Sequence, residues 1–448
     1  MGKIKRTLKE LASPYLLVIK YLTWEFILFF VLLILFLENT LNFLWEFLLE
    51  KNIYSVSNQL TIKALLCIFP ILLIFYFLTY SYFWAIKKNN NKTKITIIIC
   101  ILIIQGLTLA TRINLRFKNP SIDILPHDGI IQAVVAMDLL SLGKNPYEEN
   151  YYGTALDNIR DHYLKMYRAG KIWIMHNPAL ESYVYMPLTF IFPIPFKYIF
   201  TNIFNFYDNR IFNFIFYLLA CFFIYKLPND PKKKNCLLIF FSLNNFFYSH
   251  MIFGFNDMLP LFFLVLSYYY LKKEHYSKSI IMISIAGLSK QNIIFFWPFF
   301  LAYILFKKFW PLTRQSFLQY IKYPLIMLSV GCLILLPFIL WCPSCFYHDT
   351  ILYLKYIYPA RGVGLAGLLL DLNIISDPLQ YYNFVPWQIT FIVIFLPLLL
   401  YKQFKNNSLK HVYLCGTILM GGVWFFSRNF NEGHLGFVIT NLLITLFL

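Results

Sequence analysis

The sequence predicts an all-α, polytopic membrane protein with about 12 transmembrane helices, within a range of about 10 to 13. Two observations lead to this prediction. Of the 448 residues, 59% are hydrophobic and only 13% are charged, whereas soluble domains carry about 25% charged residues. Long apolar runs such as 26–36 and 95–104 recur along the chain, as helical membrane crossings require. The whole chain, 1–448, is therefore expected to form a single transmembrane domain.

The predicted spans follow the apolar runs, which are interrupted by proline or polar residues at two places. The spans are 22–37, 61–85, 95–111, 209–226, 236–251, 258–271, 278–289, 292–306, 323–341, 384–401, 411–427 and 435–448. The segment 182–205 is apolar but broken by three prolines, and we predict a juxtamembrane or re-entrant segment buried in protein. The segment 278–306 is predicted to bend at Lys290 into two short spans, which keeps Lys307 and Lys308 on the basic side.

Basic residues cluster between the apolar runs on one side of this path. The basic segments are 1–20, 87–94, 226–235, 271–278, 307–322 and 402–410. Together they hold more than half of the 39 Lys and Arg but only three of the 21 Asp and Glu. The positive-inside rule assigns this side to the cytoplasm. The net charge of +18 therefore indicates membrane orientation and does not indicate nucleic-acid binding.

The longest polar loops then face away from the cytoplasm. The first outer loop, 112–181, is predicted to carry juxtamembrane helices and part of the working site. A second large outer loop spans 342–383. It begins with Cys342 and Cys345, in Trp-Cys-Pro-Ser-Cys. The spacing permits a thioredoxin-like redox pair, but no βαβ pattern surrounds it, so a small disulfide or two free thiols is the favoured interpretation.

Asp128 precedes a predicted helix over 130–142. One interpretation is a helix N-cap, in which the carboxylate accepts hydrogen bonds from exposed backbone N–H groups. The other is a general base that faces an outward-open cavity and takes a proton from an acceptor hydroxyl. The two roles are compatible, since a helix N-terminus favours the ionised carboxylate.

Four further charged residues are candidates for the same outer site. Asp257 lies between two spans, where it is either solvated or used, since a carboxylate in apolar surroundings is costly. Lys290 must extend to the interface, pair with an acid or bind an anion. Arg361 and Arg428 are either surface charges or phosphate ligands with two donors each.

An ordered set of short motifs connects these candidates over about residues 120–310. The set comprises Asp128; Gly143-Lys-Asn-Pro-Tyr147; Tyr185-Met-Pro187 with Pro193 and Pro195; Asn244; Gly254-Phe-Asn-Asp257; and Leu288-Ser-Lys290 followed by Pro298. It resembles the GT-C polyprenyl-phosphate-sugar glycosyltransferases, above all the bacterial family 87 mannosyltransferases and the first mannosyltransferase of GPI-anchor synthesis. The resemblance implies a GT-C fold.

Two positions depart from the pattern of the GPI enzymes. Those enzymes carry Asp-x-Asp in the first outer loop, whereas Pro126 stands two residues before Asp128 here. This argues against a metal-binding pair, and no metal or cofactor is expected. The Lys-x-Tyr-Pro form of those enzymes is also absent, because Gln291 and Asn292 follow Lys290.

The resemblance implies an inverting hexosyltransferase that uses a polyprenyl-phosphate-linked sugar, with mannose favoured, and a lipid or glycan acceptor. Asp128 would act as the base, and Asp257 would orient the acceptor or the base. Lys290, with Arg361 or Arg428, would bind the donor phosphate. The residues expected to line the substrates are His127, Tyr147, Tyr183, Tyr185, Phe190, Phe192, Asn256, Gln291, Glu432 and His434. Besides these substrates, only membrane lipids are expected as partners.

The expected location is a bacterial inner membrane, because a high content of Lys, Asn and Ile suggests an AT-rich genome, with the site facing the periplasm or cell exterior. Three other classes stay open. A transporter or lipid-linked-glycan flippase would line a path through the mid-bilayer with charges. An outward-facing glycan polymerase would also need outer basic residues, and a structural subunit of a larger complex would need no site.

Overall fold

A computed structural model of the chain describes residues 24–49, 74–75, 77–83, 86, 90–118, 126–157, 163–168 and 171–448. The predicted basic segment 1–20 and most of the predicted span 61–85 lie outside the described residues. The described chain is mostly helical, which confirms the helical part of the prediction. The chain comprises two compact units, Met1–Ile124 with Pro228–Ser249 and Leu125–Leu227 with His250–Leu448, and the single transmembrane domain stays a prediction.

The first unit is built around three helices that pack on one another. They are Trp24–Leu49, Asn91–Lys118 and Pro231–Ser242. Glu25 ties them together, because its carboxylate accepts hydrogen bonds from Tyr82 Oη at 2.7 Å, Lys94 Nζ at 2.7 Å and Cys236 Sγ at 3.0 Å. An acid on an apolar helix is thus satisfied by three partners, as a charge in such surroundings requires.

The second unit holds the longer succession of helices. Its α-helices are Asp128–Ser141, Leu188–Ile191, Ile194–Phe204, Asn209–Lys226, Met258–Lys272, Tyr276–Ser289, Trp297–Ile304, Arg314–Tyr320, Lys322–Trp341, Pro343–Tyr347, Leu365–Asp371, Val385–Lys405, Leu409–Phe425 and Glu432–Phe447. Helix Asn245–Phe253 begins in the first unit and ends in the second. Met258–Lys272 lies centrally, packed against Asn209–Lys226 and Tyr276–Ser289, and buries most of its length.

Several of the described helices are compatible with a membrane protein. Four are long and apolar enough to cross a bilayer, namely Asn91–Phe117, Gln291–Phe309, Arg314–Trp341 and Val385–Lys405, and the number rises to 6 if two bent pairs each count as one span. Helices Arg314–Trp341 and Val385–Lys405 expose large apolar side chains such as Leu333 and Val393 along their length. Exposed apolar faces of this extent are compatible with contact to lipid.

The segment 182–205 is a short helical path that ends on the surface. It contains Leu188–Ile191 and Ile194–Phe204, and the chain then turns by 120° into Asn209–Lys226. Helix Ile194–Phe204 has no buried residue. The predicted burial of this segment in protein therefore holds for its first helix, where Leu188, Thr189 and Phe190 are buried, and not for its second.

The predicted break at Lys290 is present. Helix Tyr276–Ser289 ends there, Lys290 is extended, and a 3₁₀ helix, Gln291–Phe296, leads into Trp297–Ile304. The interruption places a polar sequence at the end of an apolar helix, where its backbone is free to change direction.

Two small β-sheets, which the sequence did not predict, accompany the helices. Strands β1 (Tyr163–Arg168) and β2 (Lys171–His176) form an antiparallel pair, and β3 (Arg361–Gly362) pairs in parallel with β4 (Asn429–Phe430). Cys342 and Cys345 form a disulfide, one of the alternatives left open. It lies at the start of helix Pro343–Tyr347, which continues as a π-helix, His348–Ile357, toward β3.

Candidate functional site

A cavity opens in the second unit at the N-terminal end of helix Asp128–Ser141. Its open space is about 1040 Å³, including its mouth. Most of the residues predicted for the site line it: His127, Asp128, Tyr185, Asn256, Asp257, Lys290, Gln291, Arg361 and His434. Residues far apart in the sequence therefore meet around one space, as small-molecule sites require.

Asp128 is the first residue of its helix, and the N-cap is His127. The His127 Nδ1 accepts from Gly129 N at 3.1 Å, and Asp128 Oδ1 accepts from the same N–H at 2.8 Å. The N-cap is therefore His127, one residue before Asp128, which the sequence had suggested as a possible cap. The backbone N–H of His127 donates to Phe253 O at 2.6 Å. This bond ties the helix start to the loop that carries Asp257.

Tyr185 packs directly against the start of this helix. A Cβ on Gly129 would lie 2.2 Å from the Tyr185 hydroxyl, so only glycine allows this approach. The Tyr185 carbonyl accepts a hydrogen bond from Tyr147 Oη at 2.7 Å. Burial, with the nearby Asp128 carboxylate as a second cause, raises the pKa of Tyr185 well above its usual value, so its hydroxyl stays protonated beside the cavity.

Asp257 and Lys290 form an ion pair at the cavity wall. The Asp257 carboxylate is 3% exposed, and its second oxygen lies 3.3 Å from His250 Nδ1. Burial acts to raise the pKa of Asp257, but the Lys290 ammonium and His250 outweigh it and hold that pKa well below its usual range. Lys290 Nζ also lies 5.6 Å from the ring centres of Trp424 and Phe437, a cation–π arrangement.

Arg361 enters the cavity from β3. Its guanidinium lies 4.7 Å from the Tyr358 ring and donates to the Tyr358 hydroxyl. Its Nε is buried and has no hydrogen-bond partner among the residues that the structure describes. Burial lowers the pKa of Arg361, and the Asp128 carboxylate opposes this effect. Asp128 and Arg361 therefore line the same cavity with opposite charges.

Arg428 supports the site without lining it. Its guanidinium donates to three backbone carbonyls, at Tyr358, Gln380 (3.1 Å) and Pro378 (2.8 Å). Each guanidinium nitrogen is thus bonded to the backbone and the side chain is buried, so Arg428 lies outside the cavity in which it was predicted to bind phosphate. It stabilises the backbone next to Arg361.

Five other predicted lining residues lie away from the cavity surface: Tyr147, Tyr183, Phe190, Phe192 and Glu432. Tyr147, Tyr183 and Phe190 belong to a buried apolar cluster behind Tyr185. The Tyr183 hydroxyl bonds Thr189 at 2.7 Å, and the Tyr183 N–H donates to the Asp349 carboxylate at 2.7 Å. These aromatic residues form the packing that positions Tyr185.

The cavity also contains polar residues that sequence reasoning did not select. They are Gln132, Ser289, Asn292, Tyr353, Tyr358, Asn429 and Asn431. Gln132 is held by two hydrogen bonds, both 2.7 Å, to the carbonyls of Ala179 and Ser182. In the sequence, Gln132 is a polar residue within the apolar pattern 130–142, and this could have marked it as a candidate site residue. Asn429 and Asn431 follow Arg428, but nothing local marked them as part of the site.

The arrangement combines an acid at a helix start, an ion pair and a guanidinium that lines the cavity. It can hold a substrate that has both hydroxyl groups and an anionic group, since amide and aromatic side chains complete the wall. Among the described residues, no group of three or more His, Cys, Asp or Glu side chains is arranged to hold a metal ion. No protein-family model matches the chain, and no curated protein matches it.

Proposed function

We propose that this chain is an integral-membrane hexosyltransferase of the GT-C type. It transfers a hexose, mannose in the first instance, from a polyprenyl-phosphate carrier to a lipid or glycan acceptor. The observation that carries the proposal is the convergence of Asp128, Lys290 and Arg361 on one cavity of the second unit. The acid can accept the proton of the acceptor hydroxyl, and the two cations can stabilise the phosphate that leaves.

The transfer proceeds as an inverting displacement. Asp128 accepts the proton of the acceptor hydroxyl, whose oxygen forms a bond to the anomeric carbon of the donor sugar. The bond between that carbon and the phosphate oxygen breaks, and the phosphate leaves with the electron pair. Positive charge develops on the sugar ring and negative charge on the leaving oxygen. The position of Asp128 at a helix N-terminus favours the carboxylate form that a base requires.

The two cations have different tasks in this proposal. Lys290 is committed to Asp257, so it contributes a fixed positive charge behind the leaving group. Arg361 lines the cavity, and in this proposal its terminal guanidinium nitrogens contact the phosphate directly. A preformed, partly desolvated guanidinium stabilises developing negative charge without further rearrangement. Asp257 acts by holding Lys290 in place, a narrower role than orienting the acceptor.

The composition of the wall suits a neutral sugar. Aromatic rings of Tyr185, Tyr353 and Tyr358 offer faces, and Asn256 and Asn429 offer both donors and acceptors. Hydroxyl groups of a hexose can satisfy such amides in both directions. Among the described residues, the Asp, Glu, Lys and Arg side chains that line the cavity are Asp128, Asp257, Lys290 and Arg361, each with a role assigned above.

The disulfide supports the placement of this site on the non-cytoplasmic face. Cys342 and Cys345 are bonded, and disulfides persist in oxidising compartments such as the periplasm. They begin the same outer segment that supplies Tyr353, Tyr358 and Arg361 to the cavity. The location we propose is therefore a bacterial inner membrane with an outward-facing site.

The experiment is release of polyprenyl phosphate from polyprenyl-phosphate mannose by the purified protein in detergent or nanodiscs. We expect Asp128→Asn to lower the rate by at least about 100-fold, since a positioned base contributes about 10²–10⁴-fold. Asp138→Asn is the matched control, because Asp138 lies on the same helix, pairs with Lys197 at the surface and does not line the cavity.

Full activity of the Asp128→Asn protein would remove Asp128 from the role of base. Absence of release with mannose, glucose and galactose donors alike would contradict the proposed function. Movement of an intact lipid-linked sugar between leaflets, without release, would favour the flippase alternative.

A further inference from the structure

The β1–β2 hairpin is joined to the segment that carries Arg361 through one arginine. Arg168, at the end of β1, donates from Nε and Nη2 to the two oxygens of Asp371, each at 2.7 Å. Its remaining terminal nitrogen, Nη1, donates to the carbonyl of Gly362 at 2.8 Å. Gly362 is the residue next to Arg361. A single guanidinium therefore links the hairpin, helix Leu365–Asp371 and β3.

The other side of the same segment is held by Arg428 and β4. Arg361 N donates to Arg428 O at 3.0 Å, and Val363 N donates to Phe430 O at 2.8 Å. Arg428 in turn bonds the carbonyl of Tyr358. The backbone on either side of Arg361 is thus fixed from two directions, and Arg168 supplies the bond from the hairpin side.

Close packing leaves this arrangement little freedom. A Cβ on Gly367 would lie 2.0 Å from Gly362 O and 2.6 Å from Arg168 Nη2. Helix Leu365–Asp371 approaches β3 so closely only because residue 367 is glycine. The carbonyl of Gly362 and the guanidinium of Arg168 are therefore held in one defined geometry.

We infer that Arg168 is a positioning residue for Arg361, and that the β1–β2 hairpin serves to fix the anion-binding guanidinium in the cavity. The inference rests on the proposed role of Arg361 as the phosphate ligand. Arg168 itself does not line the cavity, so it acts through the Gly362 carbonyl. A displacement of Arg361 by a fraction of an ångström is enough to weaken a preformed site.

The Arg168–Asp371 ion pair is partly exposed, so we expect it to position Arg361 without contributing much to the stability of the whole protein. The side chain of Asp371 is 47% exposed and that of Arg168 is 24% exposed. Exposed ion pairs contribute little to the free energy of unfolding. The planar fork of arginine makes three bonds here that a lysine ammonium cannot reproduce together. Substitutions at Arg168 are therefore expected to leave the protein folded while they alter the site.

The test measures the Kd for radiolabelled inorganic phosphate on the purified full-length protein, beside the thermal unfolding midpoint. We expect Arg168→Ala to raise the Kd by about tenfold, with an intermediate rise for Arg168→Lys and for Asp371→Asn, and an unchanged midpoint in each. Glu274→Gln is the control, because it breaks another exposed ion pair, with Lys307, away from the cavity.

A double-variant cycle distinguishes action through Arg361 from a general effect. If Arg168 acts by placing Arg361, Arg168→Ala adds no further loss to a protein that already carries Arg361→Gln. Additive losses would overturn the inference, and so would a normal Kd for Arg168→Ala beside a weakened Arg361→Gln. A normal Kd for Arg361→Gln would instead overturn the phosphate role of Arg361 itself, and with it the inference.

Discussion

Asp208 and Arg210 form the most completely buried ion pair among the described residues, with side chains 0% and 1% exposed. Asp208 caps helix Asn209–Lys226 by accepting from Arg210 N, and its two oxygens accept from Arg210 Nε at 2.9 Å and Nη2 at 2.8 Å. The Arg210 Nη1 also points to Ile252 O, at 3.4 Å. The pair therefore stabilises the loop that leads to Asp257.

Asp208→Asn separates the charge of this residue from its cap. Asparagine caps a helix as well as aspartate does, but it leaves the Arg210 charge buried without a counter-charge. We expect the free energy of unfolding to fall by about 3–5 kcal/mol, measured by chemical denaturation in detergent. Asp230→Asn is the control, since Asp230 is an exposed N-cap that accepts from Lys232 N at 2.9 Å. Equal small losses in both proteins would contradict the importance of the ion pair.

The sequence identified individual charged residues better than their partners. Asp128, Asp257 and Lys290 stood out because each is an ionisable group beside apolar runs, where burial of a charge is costly. That Asp257 pairs with Lys290, and Asp208 with Arg210, was not predicted. Asp208 and Arg210 were passed over because they fall at a predicted span boundary, where charges are common and local sequence gives no sign of full burial.

At the scale of secondary structure, helices were predicted more reliably than strands. The predicted span 209–226 is the helix Asn209–Lys226, and the predicted span 258–271 is the helix Met258–Lys272. Apolar composition extends over a whole helix, so its signal is strong. By contrast, β3 and β4 have 2 residues each, and their pairing depends on a contact between distant segments.

Gly362 tests the importance of the β3–β4 contact. Its φ is +99°, and an added Cβ would lie 2.2 Å from Phe430 O. We expect Gly362→Ala to lower the free energy of unfolding by about 2 kcal/mol or more, since it combines left-handed backbone strain with a clash against a backbone atom. Thermal and denaturant unfolding would measure this loss. If Arg361 binds phosphate as proposed, the Kd for inorganic phosphate should also rise.

Gly331→Ala is the matched control for that substitution. Gly331 lies within helix Lys322–Trp341, and nothing stands within 4 Å of an added Cβ. Alanine is favoured over glycine in helices by about 1 kcal/mol, so this change should be neutral or slightly stabilising. Similar destabilisation by both substitutions would show that the β3–β4 pairing has no special weight.

At the scale of the whole molecule, orientation is a prediction of the charge pattern. The described helices are compatible with a membrane protein, and the side on which each loop lies follows from the clustering of Lys and Arg. The predicted number of spans also depends on the charge pattern. Helix length alone does not decide it, because Glu432–Phe447 is short and two helix pairs are bent.

Labelling with a membrane-impermeant maleimide tests the orientation in intact cells. In a background with the native cysteines replaced, Glu148→Cys should be labelled directly, and Asn406→Cys only after permeabilisation. Both positions are exposed in the structure, so access to the reagent depends on the membrane. Labelling of Asn406→Cys in intact cells, with protection of Glu148→Cys, would reverse the orientation and place the cavity on the cytoplasmic side.

The sequence by itself determined the helical class, the positions of most apolar helices and the break at Lys290, because these depend on local composition and on polar interruptions. Only the tertiary structure decided which charges meet. It brought Asp128, Lys290 and Arg361 to one cavity, committed Arg428 to backbone carbonyls and joined Arg168 to Gly362. Hydrogen bonds and ion pairs act over a few ångströms between segments that are distant in the chain, and local sequence carries no measure of that distance.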